Sequence, residues 1–350
     1  MRNAPYVRRY RGMLSIVVAG ALLTGCTTGQ FSTRAQRIGP DDGSDTCRPY
    51  VVALDSTGDY FGADIAGGAA LGALGGAAIG GLATGNLRGA ALGALAGAVA
   101  GGAGAYWMAL QQQNLDQTAL NRRIGSDLVR ENGQIDKTQI AFDQLNDCRF
   151  RQASQIRADY RAHRIDRASA DTAMADIRQR AQRDLSIAQS VDRQIQDRGQ
   201  QFAMAAGNVA QGGTTSPASV QSAPMAVPRS APVPAQSATV RHAAPLKVRP
   251  DASAPDIARV SQREQVRVIG GRNGYASVET ASGTRGYLAA NELDSSAARR
   301  TVAADSSQAS SNSGDVRTLA GSNAARRDDF AQSVAVAQSA QASGFELAAG

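Results

Sequence analysis

Between residues 62 and 105 almost every position is Gly, Ala, Leu, Ile or Val, and glycine returns every fourth residue in two series. The first is Gly68, Gly72, Gly76 and Gly80; the second is Gly85, Gly89, Gly93, Gly97 and Gly101. On a helix, positions four apart stack on one face, so each series makes a ridge that another helix can approach at backbone distance. A helix in water gains little from such residues, since each glycine costs about 1 kcal/mol relative to Ala. Thr84-Gly85-Asn86-Leu87-Arg88 separates the series and favours a turn. Each leg spans about 30 Å, close to the hydrocarbon thickness of a bilayer. The pattern predicts a membrane hairpin over 61–107. Tyr60-Phe61 and Tyr106-Trp107 would then share one interface and Arg88 would reach the other, while Asp64 limits the depth of the first leg.

The N-terminus carries Arg2, Arg8, Arg9 and Arg11 and no acid, then a short apolar run over Leu14–Leu23, then Thr24-Gly25-Cys26. A basic start, a short apolar stretch and small residues describe a secretory signal, and the run is too short to span a bilayer as a helix. Leu23-Thr24-Gly25-Cys26 resembles the lipobox of bacterial lipoproteins. That resemblance implies cleavage before Cys26, a diacylglyceryl group on its thiol and a fatty acyl group, such as palmitate, on the new amine. Several acyl chains anchor almost permanently, at about 0.8 kcal/mol per buried methylene. Thr27 rather than Asp follows the cysteine, which by the enteric sorting rule favours the outer membrane over the inner one. Lipobox and glycine segment together resemble the glycine-zipper outer-membrane lipoproteins of the SlyB and 17 kDa surface antigen type.

Residues 108–205 contain no proline and are rich in Gln, Arg, Asp and Ala. Leu120, Ile124, Leu128, Ile135, Phe142 and Leu145 form one apolar stripe; Ile177, Ala181, Ala188, Val191, Ile195 and Phe202 form another. Spacings of three, four and seven predict amphipathic helices, with a reversal at residues 162–166 and Asp166 or Ser169 as N-cap. An amphipathic helical hairpin or coiled coil follows.

If Cys26 is lipidated, Cys47 and Cys148 remain. An intramolecular disulfide, an intermolecular one and free thiols are all open, the first being preferred. A straight helix from Trp107 carries Cys148 about 60 Å away, beyond the ~50 Å reach of the tether from Phe61 to Cys47. The intramolecular bond therefore requires a break, which Asn132-Gly133 would supply.

Pro217, Pro224, Pro228, Pro232 and Pro234 mark a disordered linker over 206–237. Beyond it the period changes to two, at Leu246–Arg249, Gln265–Ile269, Tyr275–Glu279 and Arg285–Leu288, with Gly-containing turns between. Leu246-Lys247-Val248-Arg249-Pro250-Asp251, Gly274-Tyr275-Ala276-Ser277-Val278, Gly286-Tyr287-Leu288 and Leu293 resemble, in order and spacing, the bacterial SH3 domain over 238–293. The resemblance implies a small β-barrel that binds cell-wall peptides or other envelope components, with Arg249, Tyr275 and Tyr287 as candidate ligand residues. Tyr stands at both positions where the family carries Trp. Residues 294–350 are Ser/Ala/Arg-rich and read as a disordered tail.

The expected architecture is multi-segment α plus small β. It comprises a signal (1–25), a tether (26–60), the glycine-zipper hairpin, the helical region, the linker, the SH3-like barrel and the tail. Aromatics at 5% and 37 glycines fit small structured units rather than one large core. The formal charge of +7 includes the four signal arginines; without them 33 basic face 30 acidic residues, a dispersed +3 that is no nucleic-acid footprint. His163 and His242 sit in no catalytic motif, no Cys/His group has zinc spacing, and no phosphate loop or nucleophile elbow is present. The sequence thus points away from an enzyme, a metal site or a cofactor. It points to a lipid-anchored envelope scaffold whose partners are the bilayer and peptidoglycan or an envelope protein. The alternatives are a homo-oligomeric zipper assembly forming a ring or pore, and an accessory subunit of an envelope complex.

Overall fold

The computed structural model describes residues 34–62, 105–210, 236–295 and 314–347. Cys26 and the nine zipper glycines lie outside them. The chain divides into two compact units, residues 1–45 and 46–350. In the first, helix α1 (Arg34–Ile38) precedes two turns in which the Asp41 and Asp42 carboxylates accept from the amides of Gly43 and Ser44.

The second unit is built on two long helices, α4 (Gln117–Arg161) and α5 (Arg167–Ala210). Each starts at an aspartate: Asp116 Oδ1 accepts from Ala119 N at 2.8 Å, and Asp166 Oδ1 from Ser169 N at 2.7 Å. Between them the chain reverses through His163, whose φ of 53° is left-handed. Every residue of the two apolar stripes is buried. α4 is continuous through Asn132-Gly133, so no break occurs there. The chain turns instead at Asn114 (φ 49°), between the short helix α3 (Ala105–Gln112) and α4. Helix α5 also runs five residues into the expected linker, ending at Ala210.

Helix α2 (Arg48–Gly62) runs antiparallel to α4 in the groove that α4 forms with α5. At one end the Cys47–Cys148 disulfide joins α2 to α4; at the other, Tyr60 hydrogen-bonds Glu131. Thirteen residues on α2 and seventeen on α4 separate these ties, about 20 and 26 Å of helix, so the pairing needs no distortion of α4.

A further helix, α6 (Val316–Ser343), occupies a region expected to be disordered. Asp315 Oδ1 caps it from Thr318 N at 2.8 Å. Val316, Leu319, Asn323, Arg326, Phe330, Ser333, Ala337 and Ala340 recur at alternating intervals of three and four, and all are buried. This stripe lies against α4 and α5. The amide of Asn323 donates to Asn132 Oδ1 at 2.9 Å, Arg326 pairs with Asp136 at 2.8 Å, and the Phe330 and Phe142 rings meet edge to face at 5.7 Å. Burial of these groups provides the stabilisation that composition alone did not reveal.

The β region has six strands: β1 (Gln236–Thr239), β2 (Ala244–Lys247), β3 (Asp256–Val260), β4 (Gln265–Arg272), β5 (Tyr275–Thr280) and β6 (Arg285–Ala289). They form one antiparallel sheet in the order β1-β4-β5-β6-β2-β3. Asn273-Gly274, with φ of 51° and 79°, makes the two-residue turn between β4 and β5. The inner face packs Val240, Leu246, Val260, Val266, Val268, Val278, Leu288 and Leu293. The sheet is open, not the closed barrel expected from the strand pattern. Its edge strands β1 and β3 do not pair with each other; the end of β1 is tied instead to residues 292–294, through the Val240–Leu293 bridge and bonds from Arg241 N to the Glu292 carbonyl and from Asp294 N to the Thr239 carbonyl. Among the described residues no helix is long and apolar enough to cross a membrane.

Candidate functional site

Two constellations stand out. The first frames the glycine segment. Tyr60, near the end of α2, donates to Glu131 Oε2 at 3.1 Å, and the Arg198 guanidinium lies 4.8 Å from its ring centre. Tyr106, near the start of α3, donates to Asp127 Oδ2 at 2.8 Å, and its ring centre lies 5.0 Å from that of Phe202. Asp127 and Glu131 are four residues apart on α4; Arg198 and Phe202 are four residues apart on α5. The two tyrosines therefore engage the same groove one helical turn apart, about 6 Å along its axis. Phe61, Tyr106 and Trp107 are buried within the helices. These aromatics serve the protein core, not the membrane-facing belt expected of them.

Electrostatics reinforce this clasp. Arg198 meets Glu131 through Nε at 2.9 Å and Nη2 at 2.7 Å, and both side chains are almost fully buried. Burial alone depresses the Arg198 pKa, but bonding to Glu131 outweighs it and leaves the guanidinium more firmly charged than usual. The Tyr60 hydroxyl is pushed up to about 12, by burial first and then by the Glu131 charge. Burial and Asp127 raise Tyr106 in the same way.

The second constellation is the seam where the outer face of the sheet meets α4 and α6. Gln139, Asp143 and Asp147 follow one another at four-residue steps along α4. Asp147 accepts from Arg249 Nε at 3.0 and 2.9 Å and from its Nη2 at 2.8 Å. Asp143 accepts from Gln139 Nε2 at 2.8 Å and lies 3.9 Å from Arg272 Nη2. From α6, Ser333 Oγ lies 3.2 Å from both Arg272 Nη2 and the Tyr287 hydroxyl and 3.1 Å from Gln139 Nε2. Ser339 Oγ accepts from the Arg285 amide at 2.9 Å. Val248, Ala254 and Ile257 complete the seam against Phe150, Met174, Ile177 and Phe345.

Strand register explains this face. Ser277 pairs with Tyr287 across β5 and β6, and both are buried; Tyr275 pairs with Arg272 and with Ala289 and stays half-buried. The next row outward, Arg267, Glu279 and Arg285, forms a ladder of 2.9 Å ion pairs. Of the expected ligand residues, Tyr287 is thus covered by α6, while Arg249, engaged by Asp147, and Tyr275 both stay half-buried. The bond to Asp147 raises the Arg249 pKa. Burial raises that of Tyr287. Asp143 is pushed up to about 6, chiefly by burial, which Arg272 and the Gln139 bond only partly offset.

Sequence patterning missed Asp143, Asp147, Arg272 and Ser333. The available signal was the four-residue repeat of Gln139, Asp143 and Asp147, which is hard to tell from a solvated helix face. Among the described residues, no group of His, Cys, Asp or Glu is arranged to hold a metal ion. The chain matches no known family model, no curated protein and no solved structure.

Proposed function

We propose that the chain is a lipid-anchored scaffold of the bacterial cell envelope. In this reading it is held at the outer membrane, faces the periplasm, and reaches peptidoglycan or an envelope partner through an SH3-like sheet. The observation that carries the reading is the tyrosine clasp. Residues 63–104 could span roughly 140 Å if extended, yet their flanks are fixed about one helical turn apart in a single groove. A two-legged membrane hairpin requires such closely spaced flanks; a linker between separate domains does not.

Two further observations support it. Leu23-Thr24-Gly25-Cys26 supplies the lipidation motif, and twenty residues of sequence lie between Cys26 and Cys47. The Cys47–Cys148 disulfide fits an oxidising compartment such as the periplasm. The finer SH3-like assignment rests on the order of Val248-Arg249, Gly274-Tyr275 and Gly286-Tyr287 and on the antiparallel pairing of β4, β5 and β6. α4 alone is about 67 Å long, a span suited to a spacer.

Density-gradient separation of membranes tests the anchoring. The wild-type chain should float with membranes. A variant that combines Cys26→Ser with removal of residues 63–104 should appear in the soluble periplasmic fraction. Membrane retention of that double variant would overturn the reading, as would a wild-type chain found soluble.

A further inference from the structure

In an Asn-Gly pair the backbone nitrogen of the glycine can attack the asparagine side chain, because glycine has no Cβ to block the approach. The pair occurs twice in the chain, at Asn132-Gly133 and at Asn273-Gly274, and the fold treats the two copies oppositely.

Asn132 is fully buried in the middle of α4. Its carboxamide oxygen accepts from Asn323 Nδ2 at 2.9 Å, and its Nδ2 donates to the Leu319 carbonyl at 3.4 Å. The Gly133 nitrogen lies within the unbroken helix. Neither reacting group can move without opening α4.

Asn273 and Gly274 are the two central residues of the β4–β5 turn, and both are exposed. Both backbones are left-handed, a conformation that Asn tolerates better than most residues. The Gly274 carbonyl is held by the Ala290 amide at 2.8 Å. Among the described residues, neither the Asn273 carboxamide nor the Gly274 N–H has a hydrogen-bond partner. A Cβ placed on Gly274 would meet nothing within 4 Å, so open space surrounds the reacting groups.

We propose that Asn273-Gly274 is a self-modification site, at which the β4–β5 turn deamidates in the folded chain. The Gly274 nitrogen bonds to Asn273 Cγ and gives up its proton. The Cγ–Nδ2 bond breaks, and the side-chain nitrogen takes that proton and leaves as ammonia. Water then opens the five-membered succinimide at either of its carbonyls. One opening leaves an aspartyl residue. The other leaves an isoaspartyl residue, with the main chain routed through the former side chain.

Both products place a new carboxylate in the turn that joins Arg272 to Tyr275. The isoaspartyl product also adds a methylene to the backbone of a two-residue turn whose register sets Arg272 opposite Tyr275. The modification therefore alters the end of the sheet beside Tyr275, and its extent grows with the age of the chain. It proceeds whether or not the chain is anchored to a membrane.

The test is prolonged incubation of the full, folded chain in mildly alkaline buffer prepared with heavy-oxygen water, followed by peptide mass spectrometry. Asn273 should lose ammonia and gain one labelled oxygen, and its peptide should separate into aspartyl and isoaspartyl forms. Asn132 should convert at least about tenfold more slowly, since its reaction waits on opening of α4. In urea, where both pairs are unfolded, the two sites should react at similar rates. The proposal is overturned if Asn273 keeps its amide in the folded chain over a period in which the urea-unfolded chain reacts. It is equally overturned if Asn132 converts as fast as Asn273 in the folded chain, or if the acid formed carries no oxygen from water.

Discussion

Removing the Glu131 carboxylate should be among the most damaging single changes in the helical unit. Glu131 is 1% exposed and bonds both Arg198 and Tyr60. Glu131→Ala would leave a nearly buried guanidinium without its counter-charge and a phenol without its acceptor. Breaking a buried pair from one side typically costs about 3–5 kcal/mol. Replacing both partners, as in Glu131→Met with Arg198→Met, removes the stranded charge. The double variant should therefore lose much less stability than the sum of the single variants, and the cycle should show a coupling of about 1–3 kcal/mol. Urea unfolding followed by circular dichroism measures the wild type, Glu131→Ala, the two single methionine variants and the double variant. Additive effects, or a loss below about 1 kcal/mol for Glu131→Ala, would show that the pair is screened and that the clasp is not held as described.

Other expectations follow from the packing. Phe330→Ala removes a fully buried ring at the junction of α6 and α4 and should cost about 3–5 kcal/mol by thermal or urea unfolding. Cys47→Ser with Cys148→Ser opens a loop of 101 residues and should cost about 2–5 kcal/mol, with faster proteolysis within α2 than within α4. A Cβ at Gly286 would lie 3.0 Å from Leu246 Cβ and 3.3 Å from the Lys247 carbonyl oxygen. Gly286→Ala should therefore destabilise by about 1–3 kcal/mol and perturb amide signals in β2 and β6. Replacing residues 63–104 by a short Gly/Ser bridge should leave the helical circular dichroism of the remaining chain and its disulfide intact, because Tyr60 and Tyr106 bond to residues one helical turn apart on α4.

Much of the helical architecture was legible because α4 and α5 obey a simple pattern. Their apolar stripes keep helical spacing, and Asp166 stands where a cap is needed. Helix α6 keeps the same spacing, but Asn323, Arg326 and Ser333 occupy buried positions that a hydrophobic pattern reads as gaps. Only their partners, Asn132, Asp136 and Gln139, make those positions favourable, and those partners lie about 190 residues away in the chain. The strands β2, β4, β5 and β6 alternate clearly. Closure into a barrel was not legible because it depends on whether the two edge strands meet, which no local period encodes. Tyr287 and Arg249 illustrate the same limit at the site. Their residue types suit ligand binding, yet Ser333 and Asp147 of the same chain occupy them. The disulfide was attainable once the turn fell at Asn114 rather than Asn132-Gly133, because α2 then lies alongside α4.

The lipid at Cys26 is the claim on which the envelope reading depends most directly. Intact-mass and peptide mass spectrometry of the mature chain should find Cys26 as its first residue, bearing diacylglycerol and an N-acyl group, and blocking lipoprotein signal cleavage with globomycin should accumulate the precursor. A mature chain with an unmodified Cys26, or processing unaffected by the inhibitor, would contradict the account.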